Sequence, residues 1–257
     1  MTTHANTDTL HAGLAPPAET VEKAPAATLT VPIWDLGLRV FHWSLVAAVS
    51  AAIATGLTGG DWMVWHGRAG IAIAGLLGFR LSWGLLGSET ARFRAFVPTP
   101  ARLRAHLAGR WHGVGHNPLG ALSVIALLAL LAVQLGTGLF SHDDIAFSGP
   151  LVSLVTDEQI SDLTAWHHRV VNLLYGLLGL HIAAIAFYAT VRRKNLVRPM
   201  VTGRAALPPG TRPPRAGKPV ALVLSVAIGA GVAWGASGLW VTHEPVAPAA
   251  SQPTPAW

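Results

Sequence analysis

The sequence predicts an all-α membrane protein, a four-helix transmembrane bundle with an appended fifth transmembrane helix, and three observations carry that expectation. The chain of 257 residues is 51% hydrophobic and only 12% charged, with a mean hydropathy of +0.46, whereas an ordinary soluble domain has roughly 25% charged residues. Five apolar runs lie near residues 38–58, 65–86, 119–140, 166–190 and 219–241. Each approaches the ~20 residues that cross a ~30 Å hydrocarbon layer as a helix, the form that satisfies the backbone there. The basic residues collect between these runs, so the pI of about 10.7 reflects membrane topology and not nucleic-acid binding.

Residues 1–30 are rich in Ala, Thr and Pro and lack the charged-then-apolar order of a signal peptide. They read as a disordered cytoplasmic tail. The bundle then occupies residues 31–203. Its first span is expected to begin as early as Pro32, because proline suits a first helical turn, with Asp35 and Arg39 paired at i,i+4. The fourth span is preceded by a capping box at Thr156 and Gln159. Residues 204–218 form a Pro-rich linker, "ALPPGTRPPRAGKP" overlapping its end, and residues 219–241 form the fifth span. Gly231 and Gly235 give that span a G-x-x-x-G pair suited to docking on another helix. Residues 242–257 are left as a periplasmic tail.

Orientation follows from the loops. Arg92, Arg94, Arg102, Arg104 and Arg110 lie between the second and third spans, and Arg192, Arg193, Lys194 and Arg198 follow the fourth. The first connection, "GLTGGDW", has no basic residue, and the third holds Asp143, Asp144, Asp157, Glu158 and Asp162. The positive-inside rule therefore puts the N-terminus in the cytoplasm and the acidic loop and C-terminus in the periplasm, in the cell inner membrane.

There is no cysteine, which excludes disulfides, thiolate metal sites, iron–sulfur clusters and covalent c-type haem. Histidines are the natural ligands that remain. His42 lies near the cytoplasmic end of the first span and His66 near the periplasmic start of the second. His167 and His181, on the fourth span, are 14 residues apart, a spacing that returns a helix to within about 40° of the same face after a rise of roughly 21 Å. Two levels of two histidines result. His42 with His181 makes the inner level and His66 with His167 the outer one. Arg80 stands 14 residues after His66 and so adds a cation near the inner level. A planar macrocycle between helices needs one axial imidazole from each side, so four matched histidines fit two haems. A lone histidine in an apolar helix is more often a packed or hydrogen-bonded residue. Arg39 and Arg80 suit haem propionates, since a cation within a membrane needs an anionic partner; snorkelling to the interface is the competing account, favoured for Arg39.

The motifs "VPIWDLGLRVFHW", "GHNPLGAL", "QLGTGLF" and the H-x13-H of the fourth span, followed by "RRKNLVRPMVTG", resemble those of the bacterial cytochrome b561 and nickel–iron hydrogenase b-type cytochrome family. The resemblance covers about residues 31–203. It implies a four-helix membrane bundle with two non-covalent b-type haems that passes electrons between quinones and a redox partner. The ligand pattern carries over to His42, His66, His167 and His181. His168 competes with His167 within "HH", and the spacing to His181 and the H-x4-N register to Asn172 favour His167. The fifth span and the N-terminal extension lie outside the pattern.

The remaining histidines have blander readings. His112 and His116 are read as interfacial, with a quinone or propionate contact near His116 and Asn117 as the functional alternative. His106 and His142 are read as solvated loop residues; His4, His11 and His243 lie in the tails. Trp34, Trp62, Trp65, Trp83, Trp111, Trp166 and Trp240 fall near span ends, as an aromatic belt requires. The function expected is transmembrane electron transfer by a bis-histidine di-haem cytochrome b, with no catalytic residue assigned. Such a chain serves as an electron-transfer subunit of a quinone-linked oxidoreductase complex, partnered by a hydrogenase-like protein or a c-type cytochrome. A histidine-lined metal or proton transporter would need carboxylate relays, and the spans hold almost none. A non-redox membrane anchor is the third reading.

Overall fold

In the computed structural model the residues described are 2, 29–111, 113–145, 147–207 and 210–242. The expectations for the two tails, including His4, His11 and His243, and for His112 lie outside them, apart from residues 2, 29, 30 and 242. Among the described residues, five helices are long and apolar enough to cross a membrane: α1 (Leu36–Thr58), α2 (Met63–Leu86), α5 (Pro118–Gly138), α6 (Asp157–Thr190) and α8 (Pro219–Ala236). The strand β1 (Leu29–Pro32) precedes them, and between them lie the short helices α3 (Phe93–Phe96), α4 (Pro100–Leu107) and α7 (Val197–Thr202) and the strand β2 (Arg204–Leu207).

Helix ends are set by side chains. Asn117 caps α5, its Oδ1 accepting from the Gly120 N–H at 2.7 Å. Thr156 and Gln159 form the reciprocal capping box of α6, and Asp157 and Glu158 in its first turn suit the positive end of the helix dipole. At 34 residues, α6 is about 51 Å long. It begins well before the apolar run and extends past the bilayer.

The first span begins later than the sequence suggested. Pro32 belongs to β1, which pairs antiparallel with β2 from Leu29↔Leu207 to Pro32↔Arg204. Asp35 is the N-cap of α1 and accepts from the Leu38 N–H at 2.8 Å. Its other oxygen accepts from Trp83 Nε1 at 3.3 Å and from the Ser88 hydroxyl. It is not an i,i+4 partner of Arg39, which donates instead to the Val201 carbonyl at 2.5 Å. Gly203 takes φ +78°, and a Cβ there would lie 2.8 Å from the Trp34 oxygen and 3.1 Å from Arg39 Nε. The start of the bundle is thus tied to its end, and part of the region expected to be linker is strand.

The core joins α1, α2, α5 and α6 through Val49, Ile73, Leu77, Leu128, Leu131 and Leu174. Large apolar side chains such as Leu173, Leu180, Ile182 and Val223 are exposed, as lipid-facing positions are. The fifth helix docks along α2, but not through Gly231 and Gly235, which meet nothing within 4 Å. Gly229 is the contact: a Cβ there would lie 2.7 Å from the Gly75 carbonyl oxygen, and one at Gly78 would lie 2.8 Å from Val232. Ser225, one turn earlier on the same face, is fully buried. The linker is pinned as well, with Glu89 N–H donating to the Arg215 carbonyl at 3.0 Å and Arg215 N–H donating to Glu89 Oε2 at 2.9 Å. That last bond, helped by Arg212, Arg215 and Arg92, holds the Glu89 carboxyl below its usual range.

Candidate functional site

Four helices enclose a cavity of about 550 Å³ at the end of the bundle that carries the acidic loop between α5 and α6. Its wall is mostly apolar, with Val49 and Ile53 from α1, Ile73 from α2, Leu131 from α5 and Leu174 from α6. His66 and His167 face into it from α2 and α6. Their ring centres are 6.1 Å apart with planes at 85°. Two metal–nitrogen bonds of about 2 Å each, plus the distance from each nitrogen to its ring centre, come to roughly 6 Å. Two imidazoles on one metal would stand about that far apart.

Both rings are oriented from behind. His66 Nδ1 lies 2.8 Å from the Ala52 carbonyl and His167 Nδ1 lies 3.0 Å from the Gln134 carbonyl. A carbonyl only accepts, so each Nδ1 carries the proton and the lone pair is on Nε2; on His167 that lone pair faces the Gln134 amide nitrogen at 3.0 Å, a contact that a bound metal would displace. Glycines make room for this: a Cβ at Gly56 would sit 2.9 Å from His66 Nδ1, and one at Gly138 would sit 2.7 Å from His167 Cε1. The Gln134 amide nitrogen lies 3.1 and 3.0 Å from the two ring nitrogens of His167, while its Oε1 is buried without a partner among the described residues. His168 is exposed, edge-on to His167, and lines the cavity rim. His142, expected to be solvated, also lines the cavity, and its Nδ1 lies 2.8 Å from Asp144 Oδ1.

At the opposite, basic end, His42 of α1 lies within electrostatic reach of His181 of α6. His181 Nδ1 is 3.4 Å from the Ser123 hydroxyl. His167 of α6 thus stands near His66 and His181 of the same helix near His42. Arg80 does not snorkel: it is 1% exposed, its guanidinium 4.6 Å from the Phe93 ring and 5.9 Å from the Phe96 ring. Neither of its terminal nitrogens has a partner among the described residues. Arg39 is half-buried, and its Nε is likewise unpartnered.

His116 is not simply interfacial. Its ring is held between Trp34 at 4.6 Å and Phe96 at 4.7 Å. Burial, with lesser contributions from Arg80 and His42, pushes the imidazole down to about 3. It is therefore neutral near pH 7. Asn117 is occupied by its capping bond and by donating from Nδ2 to the Tyr188 hydroxyl at 3.1 Å. Ser123, Gln134, Gly56 and Gly138 went unnoticed as site residues in the sequence. A glutamine inside the apolar run "LLAVQLGTG" is the one signal that pointed to any of them.

The family profile of prokaryotic cytochrome b561 matches residues 33–203. The chain belongs to the prokaryotic cytochrome b561 family. Two relatives, each described as a probable Ni/Fe-hydrogenase B-type cytochrome subunit, come from Azotobacter chroococcum mcd 1 and Azotobacter vinelandii. Each is 28% identical over 218 residues, covering 67% of this chain and 87% of the relative. No solved structure matches the chain significantly. Members of this family are b-type cytochromes, so the protein is a multi-pass membrane protein of electron transfer whose cofactor is haem b. The donor set fits that group. Opposed imidazoles with fixed tautomers flank an apolar cavity, and an unpartnered buried guanidinium lies toward the other end. The fifth helix falls outside the matched residues.

Proposed function

We propose that this cytochrome holds two b-type haems, one at each histidine level, and passes electrons across the inner membrane between the quinone pool and a redox partner protein. The observation that carries the reading is the 6.1 Å approach of His66 and His167 across an apolar cavity. It is supported by a second pair, His42 of α1 and His181 of α6, toward the other end of the bundle. A bound haem supplies a one-electron couple whose iron, ligated on both faces, leaves no open position for oxygen or substrate.

The chain's own residues do the rest. The Ala52 and Gln134 carbonyls fix the ligand tautomers, which raises imidazole basicity and favours the oxidised iron. The apolar wall excludes water and limits reorganisation on electron transfer. Arg80, with Arg39, receives propionates at the inner level. The basic loops put the N-terminus in the cytoplasm and the acidic loop and C-terminus in the periplasm. The partner sits on the periplasmic side, against the acidic loop, and is a hydrogenase-like protein, as the relatives' descriptions suggest, or a c-type cytochrome. Quinone exchanges electrons at the cytoplasmic end.

Replacement of single ligands tests the reading. His66→Ala and His167→Ala should each remove the same haem, identified by the spectrum and potential of the survivor, while His42→Ala and His181→Ala should remove the other. Survivors that differ within a pair would overturn the two-level assignment.

A further inference from the structure

Among the described residues, Arg80 NH1, Arg80 NH2, Arg39 Nε and His116 Nδ1 are buried nitrogens without a hydrogen-bond partner. They are not scattered. Arg80 and His116 both pack on Phe96, and Arg39 is one helical turn from His42 on α1. The arginine nitrogens are obligate donors, so what is missing is an acceptor, and around a buried guanidinium that acceptor has to be anionic.

Asp35 lies within electrostatic reach of Arg80, but among the described residues no carboxylate hydrogen-bonds its terminal nitrogens. Asp35 is engaged by the Leu38 N–H, Trp83 Nε1 and the Ser88 hydroxyl. Glu89 is held by the Arg215 N–H. The outer level is different in kind. Its cavity lining contains no lysine or arginine and includes Asp143. The unpartnered polar atom there is Gln134 Oε1, an acceptor.

We propose that Arg80, His116 and Arg39 form a carboxylate cradle that holds the propionates of the inner haem and makes that haem the more readily reduced of the two. The inference rests on the di-haem reading above. His116, fixed between Trp34 and Phe96, is a positioning residue whose Nδ1–H shares a propionate with Arg80. Adding an electron near a cation is favourable and near an acidic rim unfavourable, and in a water-poor interior such charges are weakly screened. One electron passed from the outer level to the inner oxidises the first site and reduces the second, moves no proton and runs downhill.

Redox titration of the purified full-length protein tests the proposal, with His66→Ala identifying the inner couple and His42→Ala the outer. The inner couple should titrate above the outer. Arg80→Gln should lower the inner couple by about a tenfold change in its reduction equilibrium, 59 mV for one electron, and leave the outer couple in place. Arg80→Lys, which keeps the charge, should restore most of the shift. His116→Phe should move the inner couple the same way by less. An inner couple that ignores Arg80→Gln, an equal shift of both couples, or an inner couple below the outer would overturn the cradle. If Arg80→Gln arrives with one haem, loss of the couple that survives in His66→Ala supports the proposal, and loss of the other refutes it. Absence of two couples in the unaltered protein would instead defeat the di-haem reading, and the cradle with it.

Discussion

At the scale of single residues, the candidate ligands His66 and His167 are distinguished from their neighbour His168 by what stands behind them. His167 has a backbone acceptor for Nδ1 and a glycine beneath its ring; His168, its neighbour, is exposed. His168→Ala should therefore keep both haems, whereas His167→Ala should lose one, as haem quantification on the purified variants will show. The reverse result would move the ligand by one residue. His116 makes a second prediction. Its ordinary value of 6.5 is lowered to about 3 in the folded protein by burial, with Arg80 and His42 as lesser causes. The unfolded chain thus binds a proton that the folded one refuses, so stability present above 6.5 drains away as pH falls toward 3. Thermal midpoints of the haem-depleted protein, in which no propionate lies beside His116, should fall more steeply from about pH 7 down to about pH 4 than those of haem-depleted His116→Phe; parallel curves would contradict it. The four candidate histidines stand out in the sequence because helical spacing is periodic. The acceptors behind His66 and His167 do not, because the Ala52 and Gln134 carbonyls belong to the backbone. Nor does the burial of Arg80, which depends on Phe93 packing so close to Gly84 that a Cβ there would lie 2.1 Å from the ring.

At the scale of elements, the spans were legible from hydropathy, and the α6 cap from its Thr-x-x-Gln spacing. The four-residue strands were not, since Leu29–Pro32 finds its partner only across the whole bundle. Pro32 and the Asp35–Arg39 spacing fit a helical turn equally well until tertiary pairing claims them. The fifth helix carries two stripes of small residues, and only the shape of α2 decides between Gly231/Gly235 and Ser225/Gly229/Ala233. Gly229→Val would press a side chain against the Gly75 carbonyl, a backbone atom that cannot swing away. It should destabilise the protein by about 1–3 kcal/mol, as overpacking does. The chain has no cysteine, so an engineered Gly75→Cys and Ala233→Cys pair reports docking cleanly; a Cβ at Gly75 would lie 3.1 Å from that of Ala233. The pair should cross-link on oxidation and stop doing so when Gly229→Val is added. Cross-linking that persists unchanged would show that α8 docks by another face.

At the scale of the whole molecule, charge asymmetry and haem placement make one account. Arginines crowd one end and carboxylates the other, and the unpartnered buried cation lies toward the basic end. Topology reporters fused after Arg104 and Arg193 should read cytoplasm, and those near Asp144 and at the C-terminus should read periplasm. A cytoplasmic reading at the C-terminus alone would mean that α8 packs on α2 without crossing. The central claim, that two non-covalent haems each lie between a pair of histidines from this one chain, is tested most directly by haem quantification with a dithionite-reduced minus oxidised spectrum of the purified protein. The account predicts about two acid-acetone-extractable haems per chain, both low-spin in either oxidation state and both unreactive with carbon monoxide when reduced. One haem per fully loaded chain, or rapid carbon monoxide binding at both levels in the intact protein, would contradict it.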